Sequence, residues 1–439
     1  MTHHPDSSVF YRKLQWDYPV ITHGTGCWLV DDAGKKYLDA CGGAFVSNLG
    51  HGVPEIADAM AEQAKKVAYV SGMTLSHSAV EEFAEALASL APPGLGKVYP
   101  LSSGSDAVEA SLKLARQYWS EVGKPTKQRI VALSPSYHGN TLLALSASAR
   151  EHYKTQYKGW LVDVVRVPAY DADALEQAVA AEAKTIAAFI MEPVGGSSTG
   201  ALVPPPGYLK RVRQICDRHE VLFIADEILV GAGRTGSWSA LEPDRVVPDV
   251  QVLGKGIAAG FAPLAAVLAS ERIVDEIGKR SGAFNHAQTF SHHAVSCAAG
   301  TATLRYLAKH KLVDRCRDMG ALLHGKLRRI EHHPNVGAVR GRGLLAGIEL
   351  VAASGKPFPR SAHLAEDVTR AALHDGLIVW PNVGHANGTD GDLIMLAPPY
   401  IVSEAELDQI VDGVERAITA TIEKIGTIAA HDVLAGSKR

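Results

Sequence analysis

The sequence predicts an α/β fold in which a large domain, with a mostly parallel sheet sandwiched by helices, is joined to a smaller α+β domain. The middle of the chain alternates short, continuously apolar runs with longer segments of helical period. Continuous hydrophobicity is typical of strands that are covered on both faces, and regular alternation of strands and helices is typical of parallel sheets. From residue 296 the pattern changes to longer helices with a few short strands, which predicts the second domain.

The elements follow in order along the chain. Residues 28–30 and 36–38 flank a turn, and we expect this N-terminal part to pack on the small domain. Strands of the large sheet are predicted at 129–133, 161–165, 186–191, 221–225, 250–253 and 264–268, with helices at 175–183 and 208–218. In the small domain we predict helices at 313–329, 364–373 and 404–425, a further helix from 297, and strands at 344–350 and 377–379. The predicted domains are therefore residues 51–295 for the large domain, with 1–50 and 296–439 forming the small one.

Composition excludes several classes of protein. The 439 residues carry 44 basic and 47 acidic side chains, which gives no electrostatic reason to expect nucleic acid or an anionic membrane as a partner. The apolar runs are much shorter than the ~20 residues that cross a bilayer, and the N-terminus lacks the pattern of a secretory signal. The five cysteines are scattered, which is typical of a reduced, cytoplasmic protein. Because no His-Glu-x-x-His motif is present, we expect no metal site.

Polar residues follow several predicted strands at their carboxyl ends, where open parallel sheets bind ligands. Glu192, Asp226 and Lys255 each come at or just after the end of a strand, as does the turn Tyr137-His138-Gly139. A lysine in such a partly desolvated crevice has a lowered pKa and can act as an amine nucleophile. Each residue alone could be an ordinary polar loop residue, but together they predict a catalytic crevice.

A candidate phosphate site lies at Ser103-Gly104-Ser105-Asp106, directly before an amphipathic helix. The glycine lets the backbone approach a ligand closely, and the free amides and dipole of a helix N-terminus favour a phosphate. Ser103 and Asp106 also have the spacing of a capping box, so this motif alone is consistent with an ordinary helix cap.

These motifs, in this order, resemble the class III pyridoxal-phosphate aminotransferases, the fold-type-I family that includes the ω-aminotransferases. The resemblance extends from about residue 34 to residue 425. The motifs that carry it are Ser103-Gly-Ser-Asp-Ala-Val-Glu, Tyr137-His-Gly, Glu192-Pro, Ala225-Asp-Glu, Gly233-Arg-Thr-Gly, Gly254-Lys-Gly, Thr289-Phe, Arg340-Gly-Arg-Gly-Leu and Ala397-Pro-Pro. The resemblance implies a transaminase that depends on pyridoxal 5'-phosphate.

The resemblance also implies a role for each matching residue. Lys255 holds the cofactor as an internal aldimine and transfers the substrate proton, while Asp226 pairs with the pyridine nitrogen. Tyr137 and Ile228 cover the two faces of the ring. The other implied cofactor contacts are Ser103, Gly104 and Ser105 at the phosphate, His138, Gly139 and Glu192 near the ring, and Thr289 from a second subunit. A shared Thr289 implies a homodimer.

Departures from the family pattern bear on the substrate. Leu229 and Val230 stand where relatives often carry glutamine or cysteine, and Ala287 replaces a glycine. Trp380 stands where several ω-aminotransferases carry a mobile arginine that binds substrate carboxylates.

Trp380 predicts an apolar substrate pocket together with Phe45, Trp16 and Tyr18, although large rings also fill protein cores. We therefore expect a donor whose amine is distant from any carboxylate or that lacks one, namely an ω-amino acid or an alkyl or aryl amine. The acceptor is a keto acid, pyruvate or 2-oxoglutarate, whose carboxylate needs a cation. The candidate cations are Arg234, Arg340 and Arg342.

The expected reaction is a ping-pong transamination. A class III racemase, aminomutase or decarboxylase would use the same lysine, and these alternatives stay open. A P-loop nucleotide site is excluded because Gly256 follows Lys255 where that motif needs serine or threonine. A non-catalytic scaffold is disfavoured by the spacing of Asp226 and Lys255.

Overall fold

A computed structural model describes residues 6–436 of the chain, with side chains as far as residue 425. The strands are β1 (Ile21–Thr25), β2 (Trp28–Asp31), β3 (Lys36–Asp39), β4 (Lys97–Leu101), β5 (Arg129–Ser134), β6 (Val165–Pro168), β7 (Ile186–Met191), β8 (Leu222–Asp226), β9 (Val250–Leu253), β10 (Ala265–Ala269), β11 (Val336–Gly341), β12 (Ala346–Leu350), β13 (Leu377–Ile378), β14 (Trp380–Val383) and β15 (Asp392–Leu396).

The helices lie between and after these strands. They are α1 (Gly42–Phe45), α2 (Pro54–Lys66), α3 (Ser78–Leu90), α4 (Gly104–Glu121), α5 (Leu142–Ala147), α6 (Glu151–Lys154), α7 (Ala172–Ala181), α8 (Tyr208–Arg218), α9 (Glu271–Lys279), α10 (Ala294–Lys309), α11 (Leu312–Leu327), α12 (Leu364–His374) and α13 (Glu404–Gly436). Among the helices of residues 6–436, none is both long enough and apolar enough to cross a membrane.

The apolar runs in the middle of the chain form one seven-stranded sheet of order β4-β10-β9-β8-β7-β5-β6. Strand β10 runs antiparallel to both β4 and β9, whereas the pairs from β9 to β6 are parallel. Every residue of β7, β8 and β9 is buried, as expected for strands that are covered on both faces. The predicted α/β fold class, with a mostly parallel sheet, is confirmed.

Helices cover both faces because successive side chains of a strand point to opposite sides. Ile190 and Ile224 lie in the core that includes Leu112 and Trp119 of α4, while their neighbours Phe189 and Phe223 lie in the core with Val212 of α8. The sheet is thereby held rigidly between two apolar layers, and its carboxyl edge is left for polar residues.

The predicted strand at 161–165 is wrong, because the strand at this place is β6, Val165–Pro168. Its register is set by β5, with Val131 opposite Val165 and Ser134 opposite Pro168. Val162 is 52% exposed and lies before the sheet. β6 is an edge strand, so its sequence alternates instead of being continuously apolar, and an edge tolerates the proline that a central strand would not.

The remaining strands form two four-stranded sheets, β1-β2-β3-β13 and β11-β12-β15-β14. The pairing of β3 with β13, with Leu38 opposite Leu377, joins the N-terminal residues to the C-terminal part of the chain. A large core unites residues of both parts with helices α11, α12 and α13. Helix α10 contributes Leu304 to a core of the large sheet and Leu307 to this second core, so the boundary at residue 296 stays a prediction.

Candidate active site

A cavity of about 180 Å³ opens at the carboxyl edge of the large sheet. The residues that line it are Gly104, Ser105, Tyr137, His138, Gly139, Glu192, Ser197, Asp226, Ile228, Leu229 and Lys255. Most of the residues that the sequence predicts for the cofactor site therefore meet in one place. Ser197 is an addition that the sequence motifs do not indicate.

Lys255 begins a short 3₁₀ turn directly after β9, and its backbone φ of 44° lies in the left-handed region. Its Nζ lies 5.6 Å from the centre of the Phe45 ring. Burial lowers the pKa of Lys255 to about 8, although the charges of Asp226 and Glu192 act in the opposite direction. The desolvation of the amine outweighs both carboxylates, so a sizeable fraction of Nζ is neutral near physiological pH.

Asp226 is the last residue of β8 and is 4% exposed. Its Oδ2 lies 2.7 Å from Nδ1 of His138, and its Oδ1 accepts a hydrogen bond of 3.1 Å from the backbone N–H of Ile228. An ionised carboxylate only accepts hydrogen bonds, so His138 donates through Nδ1. Both carboxylate oxygens are thus fixed in position at the edge of the cavity.

The adjacent Glu227 has a different environment, although the motif places it beside Asp226. It is fully buried and accepts hydrogen bonds from the side chains of Ser239 and Gln251 and from the backbone N–H of Ala240. Burial raises the pKa of Glu227 to about 7. Glu227 therefore supports the loop after β8 and does not line the cavity.

Glu192 connects the end of β7 to the Tyr137 turn. Its Oε2 accepts a hydrogen bond of 3.1 Å from the backbone N–H of Tyr137, and its Oε1 accepts one of 3.0 Å from that of Gly196. Burial raises the pKa of Glu192 above its usual range. The carboxylate thereby fixes the backbone of the Tyr137 turn and of the loop after β7 at the cavity.

The candidate phosphate site is built from the N-terminus of α4 and the turn after β5. Ser103 caps the helix, because its Oγ accepts a hydrogen bond of 3.2 Å from the backbone N–H of Asp106. A Cβ on Gly104 would lie 2.9 Å from Ile228, and one on Gly139 would lie 2.5 Å from Oγ of Ser105. Both glycines are therefore required for this close packing. Ser103 itself is exposed and does not line the cavity.

The predicted aromatic pocket is brought together in part. The rings of Phe45 and Trp380 lie 5.2 Å apart, and Phe45 faces Lys255. Tyr18 instead stacks on Tyr11, at 4.4 Å. Trp16 lies under the amine of Lys13 and near Arg370 of α12. The structure therefore brings Phe45 to the lysine and Trp380 to Phe45, although neither ring lines the cavity, and it places Trp16 and Tyr18 in other contacts.

Thr289 and the predicted arginines lie outside the cavity lining. Thr289 is exposed on the surface of its own chain. Arg234 is buried and donates to the carbonyl oxygens of Leu344 and Pro398. Arg340 forms an ion pair of 2.8 Å with Glu349 and donates to the carbonyl oxygens of Gly200 and Thr199. The hydrogen bonds of Arg234 and Arg340 assign both to structural contacts, and neither they nor Arg342 lines the cavity.

Within the part of the chain that the structure describes, no group of three or more histidine, cysteine, aspartate or glutamate side chains has the arrangement of a metal site.

The fold and the cavity define an enzyme of the transaminase type, and the sequence matches the family "Aminotransferase class-III" over residues 12–418. The chain belongs to the class III aminotransferases, a pyridoxal-phosphate-dependent family. It is 33% identical over 435 residues to an adenosylmethionine-8-amino-7-oxononanoate aminotransferase of Geobacter sulfurreducens, with 93% of this chain and 94% of that protein covered.

Solved structures agree with this family. A transaminase from the marine bacterium Virgibacillus superposes with a TM-score of 0.90 at 32% identity, covering 96% of this chain and 97% of that one. An (S)-enantioselective ω-transaminase from Thermomicrobium roseum superposes with a TM-score of 0.88, also at 32% identity, covering 95% and 96%. The predicted family, its fold class and its enzyme class are confirmed.

Proposed function

We propose that the cavity binds pyridoxal 5'-phosphate and that the enzyme transfers an amino group from an ω-amino acid or an amine to a keto acid, either pyruvate or 2-oxoglutarate, by a ping-pong mechanism. The observation that carries this proposal is that Lys255 and Asp226 line one cavity, together with the N-terminus of α4. An amine, a carboxylate and a helix N-terminus are the groups that suit an aldehyde, a pyridine nitrogen and a phosphate.

The described residues fit this cofactor sterically and chemically. Gly104 and Gly139 allow Ile228, the helix N-terminus and the turn after β5 to pack closely around the cavity, because a Cβ at either position would collide with its neighbours. The ring of Tyr137 lines the cavity on one side and Ile228 lines it as an apolar contact. His138 Nε2 is buried without a hydrogen-bond partner, while its Nδ1 is committed to Asp226. The site thus offers each part of the cofactor a group of suitable character.

When bound, the cofactor supplies an electron sink for the negative charge that develops on the substrate carbon. Lys255 Nζ would take the proton from that carbon and deliver it to the former aldehyde carbon of the cofactor, which keeps the amino group when the keto product leaves. A catalytic group works best when its pKa lies near the operating pH, and burial has moved the pKa of Lys255 to about 8. Asp226, fixed by His138 and by the N–H of Ile228, would pair with the ring nitrogen of the cofactor.

The proposed substrate preference is supported by the apolar wall beside the lysine. The buried ring of Phe45 lies 5.6 Å from Nζ, and Trp380 packs on Phe45 at 5.2 Å. Such a wall favours an alkyl or aryl group on the donor over a second carboxylate. A racemase, aminomutase or decarboxylase activity is less well supported, because the family and the similar solved structures are those of transaminases.

The proposed active unit is a homodimer in the cytoplasm. Thr289 lies on the surface of its own chain, where it is available to a second copy, and its neighbour Phe290 is 57% exposed. Met73 and Leu75 are also exposed, at 90% and 62%. Apolar side chains exposed to this extent are typical of a surface that a partner covers.

The five cysteines are free and buried, which suits a reducing compartment.

The proposed function is tested by a screen of donors and acceptors on the purified enzyme supplied with pyridoxal phosphate. We expect net formation of alanine or glutamate from ω-amino acids or aryl amines with pyruvate or 2-oxoglutarate. Chiral and carbon dioxide analysis of the same reactions detects racemisation or decarboxylation. Activity confined to short α-amino acids, or product without net amino transfer, would contradict the proposal.

The lowered pKa of Lys255 predicts a distinct pH profile in the cofactor-free protein. An acylating reagent that attacks neutral amines, added in limiting amount, should modify Nζ at a rate that rises about tenfold per pH unit below pH 8. The rate should level off near pH 8. Neutral amine makes up roughly 10% of a group with a pKa of 8 at pH 7, against roughly 0.04% of an ordinary lysine. Peptide mapping by mass spectrometry measures the rate at each lysine. A midpoint near 10 at Lys255 would show that its pKa is ordinary.

Gly139→Ala should weaken binding of pyridoxal phosphate roughly tenfold or more, the scale of about 1–3 kcal/mol of backbone strain. Gly139 has φ 132°, and the added Cβ would meet both Oγ and Cα of Ser105. The cofactor affinity is measured by titration of the apoenzyme. Gly123→Ala is a matched control, since Gly123 also has positive φ but no atom within 4 Å of the added Cβ. Equal affinities in the two variants would argue against the phosphate assignment.

A further inference from the structure

Arg150 lies against the wall of the cavity without a carboxylate partner. Its Nη2 donates to the carbonyl oxygen of Ser197 and, at 2.5 Å, to Oδ1 of Asn382. The guanidinium carbon lies 5.4 Å from the centre of the Tyr137 ring and 5.7 Å from that of Tyr153. Ser197 and Tyr137 both line the cavity. Among the described residues, no carboxylate forms an ion pair with this guanidinium.

Arg150 and Asn382 are hydrogen-bonded to each other, and each carries one further buried donor without an acceptor. These donors are Nε of Arg150 and Nδ2 of Asn382. The orientation of the Asn382 amide follows from chemistry, because a guanidinium only donates and its partner atom must therefore be the oxygen. Buried donors are normally satisfied, and unsatisfied ones in a native structure indicate a missing ligand or water. Burial also lowers the pKa of Arg150 below its ordinary value, so its positive charge is poorly compensated in the free protein.

The two unsatisfied donors lie just outside the cavity lining, on elements other than those of the candidate phosphate site. Asn382 and Trp380 share a face of β14, because they are two residues apart on one strand. Trp380 contacts Phe45, which faces Lys255 Nζ. The phosphate site at Gly104 and Gly139 is formed by other elements, the N-terminus of α4 and the turn after β5.

The arginine is held in a fixed orientation by its neighbours. Tyr153 lies between two guanidinium groups, because the Arg12 carbon lies 5.4 Å from its ring centre and Arg12 also donates to its hydroxyl at 2.8 Å. With the hydrogen bonds to Asn382 and Ser197, this stacking fixes the guanidinium plane. A fixed plane with free donors suits the two oxygens of a carboxylate.

We propose that Arg150, assisted by Asn382, binds the carboxylate of the keto-acid substrate. The inference rests on the proposed function, because it assigns a carboxylate-bearing acceptor to the same cavity. Arg150 takes the role for which the sequence offered Arg234, Arg340 and Arg342. It follows that a donor without a carboxylate does not use this contact, whereas the acceptor depends on it.

The test separates the two half-reactions of the holoenzyme. In Arg150→Gln, we expect the KM for pyruvate to rise roughly 10–100-fold, the effect of losing a charge-assisted hydrogen bond. The half-reaction with 1-phenylethylamine, which has no carboxylate, should change less than about twofold. Arg150→Lys should recover part of the KM for pyruvate. Arg272→Gln is the matched control, since Arg272 also stacks on a tyrosine, Tyr118, at 5.3 Å, but that tyrosine, unlike Tyr137, does not line the cavity.

A binding measurement checks the assignment independently of turnover. Calorimetric titration of the wild-type holoenzyme should show tighter binding of propanoate than of its neutral analogue propanamide, and Arg150→Gln should abolish that difference. Equal loss in both half-reactions, or an unchanged preference for propanoate in the variant, would overturn the inference. If the wild type transfers no amino group between any donor and acceptor, the proposed function fails. The comparison of propanoate with propanamide then still decides whether Arg150 binds a carboxylate.

Discussion

Lys255→Ala should lower the rate of amino transfer by at least about 10³-fold, the scale of losing a positioned acid–base group that is also a nucleophile. In the proposed function, Nζ supplies both the amine that attaches the cofactor and the group that moves the substrate proton. Excess pyridoxal phosphate should not restore the rate. It can compensate for the lost attachment of the cofactor, but it cannot replace the amine that moves the proton. The rate of alanine formation from pyruvate and the best donor measures the loss.

Two controls separate loss of chemistry from loss of structure. Lys279→Ala removes an exposed lysine whose contact is with Glu276 on the same helix, and it should leave the rate unchanged. Lys255→Ala itself should not lower the Tm, because the deleted amine is poorly solvated and its removal relieves that desolvation. A variant that keeps more than about a tenth of the wild-type rate would exclude Lys255 as the proton-transferring group.

The part of the site that could be predicted from sequence is the part carried by strand ends. Asp226, Glu192 and Lys255 follow apolar runs that could only be buried strands, and the carboxyl ends of parallel strands meet at one edge. Their meeting in one cavity therefore follows from the sheet itself. Gly104 was recognisable for the same reason, since it begins a helix with a clear capping residue before it.

Residues outside the regular elements could not be placed in this way. Trp16 and Tyr18 lie in a segment without a regular element, so no periodicity indicated which ring they would contact. From the sequence, Arg234 was a candidate to bind a substrate carboxylate, but its guanidinium donates to the backbone carbonyl oxygens of Leu344 and Pro398. Arg150 was missed because it carries no motif. Its one signal is that it is the first charged residue after the uncharged run 137–149.

The fold shows the same division between local and distant information. β7 and β8 were predicted within a residue, because complete burial dictates their composition. The predicted position of β6 was wrong by several residues. The register of an edge strand is set by its single neighbour, and that neighbour is distant in sequence. The role of Thr289 depends on a second chain, so the surface position seen in one copy leaves its assignment a prediction.

Asp226→Asn should lower kcat roughly 10²–10³-fold, the usual effect of removing one preorganised electrostatic partner. The amide has nearly the shape of the carboxylate, and its oxygen can still accept a hydrogen bond from His138 or from the N–H of Ile228. The fold and the position of His138 should therefore persist, and the loss reports on the missing negative charge. Stopped-flow measurement of the donor half-reaction, with cofactor at saturation, gives the rate of the chemical step.

Glu227→Gln is the matched control, because it removes a carboxyl group from the next residue of the same motif. That carboxyl is bound by Ser239, Gln251 and the Ala240 N–H, and burial has raised its pKa to about 7. A substantial fraction of it is therefore already uncharged at neutral pH, and the neutral amide should change kcat by less than about threefold. If the two variants lost activity equally, the negative charge at Asp226 would have no special role. The rate would then depend on the integrity of the loop after β8, and the pairing of Asp226 with the ring nitrogen would be wrong.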